Sequence, residues 1–226
     1  MDTCGVPRHI WNRWITFWWM LRHPHDPRPV LQDLGQRYGE LHRRYHTLDH
    51  IAACLRELDS IREHLDFAQL LFVEGAIWFH DAVYDPTQHD NEERSAELAR
   101  TVFASGASTE LHPAVVAKAI LLSNHRDASD GPRISTDDQR FPLFAFLDID
   151  LSILGQDDAT YRRYAEQIRQ EYLHVPDDAF RAGRAALLEQ FLKRTNIYRT
   201  AHFHGKYEAA ARANITFEIA RLRAGR

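Results

Sequence analysis

The chain has 226 residues, of which 44% are hydrophobic and 27% charged, an ordinary globular composition. A formal charge of −4 gives no electrostatic case for a nucleic-acid surface. Only two cysteines are present, Cys4 and Cys54, which excludes a disulfide framework and a cysteine-rich zinc finger; the 14 histidines instead direct attention to metal binding and proton transfer.

The first apolar stretch, residues 10–21 (IWNRWITFWWML), is interrupted by Asn12 and Arg13. It is too short for a membrane span, which needs about 20 apolar residues. No small-residue cleavage pattern follows it, so a cytoplasmic protein is expected. Trp11, Trp14, Phe17 and Trp18 recur at spacings of three and four and predict one buried helix face. The prolines of PHDPRP, residues 24–29, end that helix, and a second is expected over 29–38, closed by Gly39.

Ile51, Cys54, Leu55, Leu58, Ile61 and Leu65 mark an amphipathic helix, whereas 70–79 is almost wholly apolar and predicts a buried one. Helices follow over 91–103 and over 113–123, with Pro113 in the first turn of the latter. Residues 126–140 form a polar loop and a candidate domain boundary. Helices over 143–154, 159–173, 177–193 and 206–223 complete the chain. No segment alternates with β-branched residues, so the expected fold is an all-α, single-domain helical bundle.

Histidines and carboxylates recur in partly apolar surroundings. His46 and His50 are four apart and would share a helix face. His80 and Asp81 follow a buried run directly, His125 ends an apolar helix, and Asp148 and Asp150 lie inside an apolar segment. Removing one carboxylate from water costs several kcal/mol. A divalent cation held by imidazoles and carboxylates offsets that cost for all of them. It also lowers the pKa of bound water to about 7, giving a hydroxide nucleophile at neutral pH.

The ordered set His50, His80-Asp81 and Asp150 resembles the pattern of the HD superfamily of metal-dependent phosphohydrolases, over about residues 41–155. Within it the chain looks most like bacterial proteins described only as HD-type phosphohydrolases. The resemblance implies an HD-type bundle, with helices over 158–224 packing on the metal-site core. It implies His50, His80, Asp81 and Asp150 as ligands of one divalent ion. Their mixed nitrogen and oxygen donors suit Mn, Fe, Co, Ni or Zn better than Mg. The implied reaction is attack of metal-bound hydroxide on a phosphoester or phosphoanhydride, with a nucleotide as the expected small-molecule substrate and no nucleic-acid or membrane partner; the pattern sets no oligomeric state. The same fold also admits a nucleotide-sensing module that keeps the metal site, or a di-iron oxygenase drawing further ligands from His89 or His125.

A local likeness to cyclic-nucleotide phosphodiesterases extends these assignments. Their YHNxxHA, HD and ADLS segments correspond to Tyr45–Ile51, His80-Asp81 and Ile149–Ser152. That likeness makes His46 the acid that protonates the leaving group, and selects Asp150 over Asp148 as ligand. Those enzymes carry another histidine where this chain has Tyr84, so one metal rather than two is expected. Asp85 is spaced like an acid in the guanosine tetraphosphate hydrolases and would orient water, or else Asp85-Pro86 simply opens a turn. Glu93 precedes a Ser-Ala pair, as in similar HD proteins, and would reach the site, while Asn91 is read mainly as a helix cap. His125 would bind phosphate or a second metal, or else answer a helix dipole. Arg194, Arg199 and Arg212 are substrate-side candidates because a guanidinium fork fits phosphate. Tyr198 or Tyr172 would stack on a base, against the alternative of core-edge packing.

Overall fold

The computed structural model describes residues 6–106, 111–125, 133 and 135–225. Among them lie ten α-helices, two 3₁₀ turns and no β-strand, so the chain is all-α. It falls into two compact units, residues 1–127 and 128–226. The division lies in the polar segment read as a candidate boundary. Residues 126–132 and 134 of that segment, and Cys4, are outside the described residues. Among the described residues no helix is long and apolar enough to cross a membrane.

Unit 1 holds α1 (Arg8–Met20), α2 (Arg28–Tyr38), α3 (Leu48–Ile61), α4 (Phe67–Phe79), α5 (Asn91–Ala104) and α6 (Pro113–Leu122). The apolar α4 is its centre and touches α1, α3, α5 and α6. It starts sharply because Asp66 and Gln69 form a reciprocal capping box. Trp14, Phe17 and Trp18 of α1 are buried as the spacing predicts, and Trp14 meets Trp78 of α4 edge to face at 5.2 Å. The prolines do not end α1 themselves. Arg22 adopts a left-handed φ of 50°, and the indoles of Trp18 and Trp14 donate to the carbonyls of His25 and Pro27, holding the proline turn against the helix.

The amphipathic run read through Leu65 is a helix only to Ile61, followed by a 3₁₀ turn over Arg62–His64. Leu65 is extended, and so is Asp66, whose side chain must sit outside the helix to cap α4. Arg13 reaches across from α1 and binds the fully buried Glu74 of α4 with two bonds, 2.8 and 3.0 Å long.

Unit 2 holds α7 (Phe141–Asp150), α8 (Asp158–Glu171), α9 (Asp177–Lys193) and α10 (Ala201–Arg223). α10 packs on α9, on α7 and on the 3₁₀ turn Leu151–Gly155. The helix expected over 143–154 therefore changes character after Asp150. The chain there passes so close to α10 that a Cβ on Gly155 would lie 2.4 Å from the Tyr207 Cβ. The last helix begins at Ala201 rather than 206, because the Thr200 hydroxyl accepts from the Phe203 N–H and caps it.

Candidate metal centre

In unit 1 the metal-type donors all sit at helix ends. His50 lies in the first turn of α3, behind the cap made by the Thr47 hydroxyl and the Asp49 N–H. His46 precedes that cap, so it does not share a helix face with His50 as the four-residue spacing predicted. Its ring nevertheless stands edge-on to His50, with centroids 6.2 Å apart. His80 closes α4 and Asp81 follows in the turn, at the end of the helix where the backbone dipole favours a cation.

His80 Nδ1 is 2.9 Å from the Ile77 carbonyl. A carbonyl only accepts, so Nδ1–H donates there and Nε2 is left facing the centre, the orientation that metal-binding histidines require. That Nε2 lies 3.1 Å from His50 Nε2 and 3.1 Å from Asp81 Oδ2, and His50 Nε2 lies 3.6 Å from the same oxygen. Ligand arms of about 2.1 Å put neighbouring donors roughly 3.0 Å apart in an octahedron and 3.4 Å apart in a tetrahedron. The three spacings fall around these values, so the three donors are placed as a metal ion would need them. Burial acts to raise the Asp81 carboxyl, but His80, His46 and His50 around it overcome that effect and hold it well below the usual carboxylate range.

Several further groups pin this centre, and of these Arg43 escaped the sequence reading. Arg43, only 3% exposed, donates to the carbonyls of His46, Asp81 and Ala82. Its neighbour Arg44 is exposed and bonds the nearby Leu41 and Arg43 carbonyls, and nothing in the RRYH pattern separates the two. Tyr84 stacks on His46 with centroids 4.1 Å apart, and its carbonyl is 2.7 Å from His42 Nε2. Ser95 is fully buried and bonds both the N–H and the carbonyl of Val83, fixing the turn after Asp81.

Other site candidates of unit 1 serve the backbone. Asn91 does not cap α5: its amide bonds the N–H and carbonyl of Asp85, tying that loop to the helix. Asp85 Oδ1 accepts from both the N–H and the hydroxyl of Thr87, which realises the turn and lowers the carboxyl pKa. Glu93 is exposed in the first turn of α5, where its charge meets the positive end of the dipole. His89 is exposed. His125 is half-buried beyond α6 with a left-handed φ of 53°.

In unit 2 the two carboxylates of α7 differ. Asp148 is buried, and accepts from the N–H groups of Arg199 and Thr200 and from the Thr200 hydroxyl. Burial pushes its pKa up to about 7 against those bonds. Asp148 is thus the anchor of the segment before α10. Asp150 is the last residue of α7 and half-buried.

Two expected substrate contacts are corrected here. Tyr198 is fully buried, its hydroxyl donating to the Leu151 carbonyl at 2.8 Å, so it offers no face to a base. Arg212 binds Glu208 and the carbonyls of Leu192, Arg194 and Thr195, so its guanidinium closes the α9–α10 turn rather than waiting for phosphate. Arg194 lies over the Phe191 ring at 4.3 Å and Arg199 over the Phe144 ring at 4.4 Å, while Tyr172 stacks on His174. Tyr198→Phe is expected to cost about 1 kcal/mol in a denaturant titration, the value of one buried hydrogen bond. It should leave KM for any substrate unchanged; a several-fold rise in KM would return Tyr198 to the binding site.

Comparison of the chain with family models, with curated proteins and with solved structures finds no match.

Proposed function

We propose that this chain is a metal-dependent phosphohydrolase acting on a small phosphorylated molecule, with a nucleotide as the leading substrate class. The observation that carries the reading is the convergence of His50 Nε2, His80 Nε2 and Asp81 Oδ2 at spacings of 3.1 to 3.6 Å. Asp150 supplies the fourth donor. That assignment follows the HD-type order of His50, His80-Asp81 and Asp150 along the chain, and mixed imidazole and carboxylate donors suit Mn, Fe, Co, Ni or Zn. Asp150 is preferred over Asp148, whose oxygens accept from Arg199 and Thr200. A bound divalent ion supplies Lewis acidity and makes a coordinated water acidic enough to react at neutral pH.

The chain's own residues do the rest. His80, locked by the Ile77 carbonyl, keeps its Nε2 turned toward the centre. Asp81 brings the negative charge that balances the ion. His46, braced against the Tyr84 ring beside His50, delivers a proton to the leaving oxygen. Asp85 or Glu93 orients the attacking water. The cytoplasm, where nucleotides abound, is the matching compartment.

A panel of nucleotides and simple phosphoesters assayed across the five metals tests the reading. Turnover should vanish on chelation and return when the metal is added back, and Asp150→Ala should lower metal affinity at least about tenfold. Turnover by metal-stripped protein would refute the proposal. Saturable nucleotide binding without turnover under any metal would instead identify a sensing module, and two irons per chain with oxygen uptake an oxygenase.

A further inference from the structure

We propose that Arg43 is a positioning residue for the metal donors, so that metal affinity depends on a side chain that touches none of them. This inference rests on the metal-centre reading above. Two backbone segments bring the donors of unit 1 together. One is the entry to α3, which carries His46 and then His50; the other is the turn after α4, which carries His80 and Asp81. The first segment starts its helix and the second ends its own, and a shift of either by a few tenths of an ångström changes the donor spacing.

Arg43 joins the two. Its Nη1 donates to the Asp81 carbonyl at 2.6 Å and to the His46 carbonyl at 3.2 Å, and its Nη2 donates to the Ala82 carbonyl at 3.2 Å. Nε is held by Glu40 at 2.9 Å, which sets the direction of the fork. The rings of Tyr38 and Tyr84 pack on the guanidinium at 5.2 and 5.5 Å, and Tyr84 in turn braces His46. A buried cation that satisfies its donors mostly on carbonyl oxygens, with one half-exposed acid as its counter-charge, is an expensive way to hold two loops. The observation that gives it purpose is which carbonyls are chosen: that of the ligand Asp81, that of its neighbour Ala82, and that of His46. The planar fork is essential, because a lysine ammonium is a single point charge and cannot span three fixed acceptors in two segments.

Cobalt(II) is the probe, since its visible absorption reports both affinity and donor geometry. The full chain is compared with Arg43→Lys, Glu40→Gln and, as a control, Arg13→Ala. Arg43→Lys should bind cobalt about 10- to 100-fold more weakly, the effect of losing a residue that orients ligands, with an altered visible spectrum. Glu40→Gln changes a side chain that is 42% exposed, so it leaves the fold in place while releasing the fork; it should weaken binding roughly threefold to tenfold. Arg13→Ala lowers stability elsewhere in unit 1 and should keep the wild-type cobalt affinity and spectrum. If Arg43→Lys does not fold, Glu40→Gln decides alone. Wild-type affinity and spectrum in the folded Arg43 and Glu40 variants would overturn the proposal. So would an Arg13→Ala protein that loses cobalt as strongly as Arg43→Lys, since general destabilisation would then explain the loss. A wild-type chain that takes no cobalt would overturn the metal reading itself, a result seen before any variant is examined.

Discussion

His80→Ala is expected to emerge from purification without stoichiometric metal and without metal-dependent turnover. His80 is one of three donors that face each other in unit 1, and its orientation is fixed through Nδ1 and the Ile77 carbonyl. Removing it leaves only His50 and Asp81, spaced 3.6 Å apart, among the donors of unit 1. Loss of even a residue that only supports a ligand weakens a metal site by about 10- to 100-fold, so loss of the ligand itself should exceed about 100-fold. Elemental analysis after gel filtration and a competitive chelator titration give the numbers. His80 is almost wholly buried, and the alanine leaves a void, so the isosteric Asp81→Asn serves as the companion. It keeps the volume, removes the negative charge and should lose metal to a similar degree while retaining the helical circular dichroism. Stoichiometric, tightly held metal in both folded variants would leave no centre at this place.

Arg13→Ala is expected to lower stability by about 3–5 kcal/mol at neutral pH, the usual result of removing one partner from a buried ion pair. Glu74 is wholly buried in α4, and Arg13 binds both of its oxygens. Burial already raises the Glu74 pKa above its ordinary 4.5, and Arg13 restrains that rise. Without Arg13 the carboxyl moves further up, so between 4.5 and its folded value the native state holds a proton that the unfolded chain has released. Stability of the variant must then fall as pH rises through that window. Its deficit against wild type is smallest near and below pH 4.5, where Glu74 is protonated in both states, and largest at and above neutrality. Chemical denaturation at a series of pH values checks the slope. Arg13→Met combined with Glu74→Leu should recover most of the loss, because no charge is then stranded in the core. A deficit that does not change with pH would show that lost packing, not the stranded carboxylate, sets the cost.

Residues at the centre divide by how far along the chain their reason lies. The histidines and the HD pair stand out in the sequence because polar groups in apolar surroundings need partners, and the three of unit 1 do converge. His46 was placed on a helix it only precedes, since a four-residue spacing has the same form on either side of a cap. Asp148 and Asp150 have equivalent positions in the apolar pattern; the family likeness alone chose Asp150, and the N–H groups of Arg199 and Thr200, distant in sequence, give Asp148 its structural task. Tyr198 and Arg212 carry the chemistry of substrate contacts, yet Leu151, Glu208 and three turn carbonyls claim them. Arg43 is indistinguishable in sequence from Arg44.

Periodicity alone determined that this protein is helical, roughly where each helix runs and which faces are apolar, because burying one face of a 3.6-residue repeat is a local property of composition. Tertiary structure decided where helices stop, as Asp66 shows by leaving the helix to cap α4 and Gly155 by passing close to Tyr207. It also decided which polar side chains remain available for chemistry. A hydrogen-bonding group is claimed by whichever acceptor or donor the fold brings near, and in this chain those partners come from residues far away along the sequence.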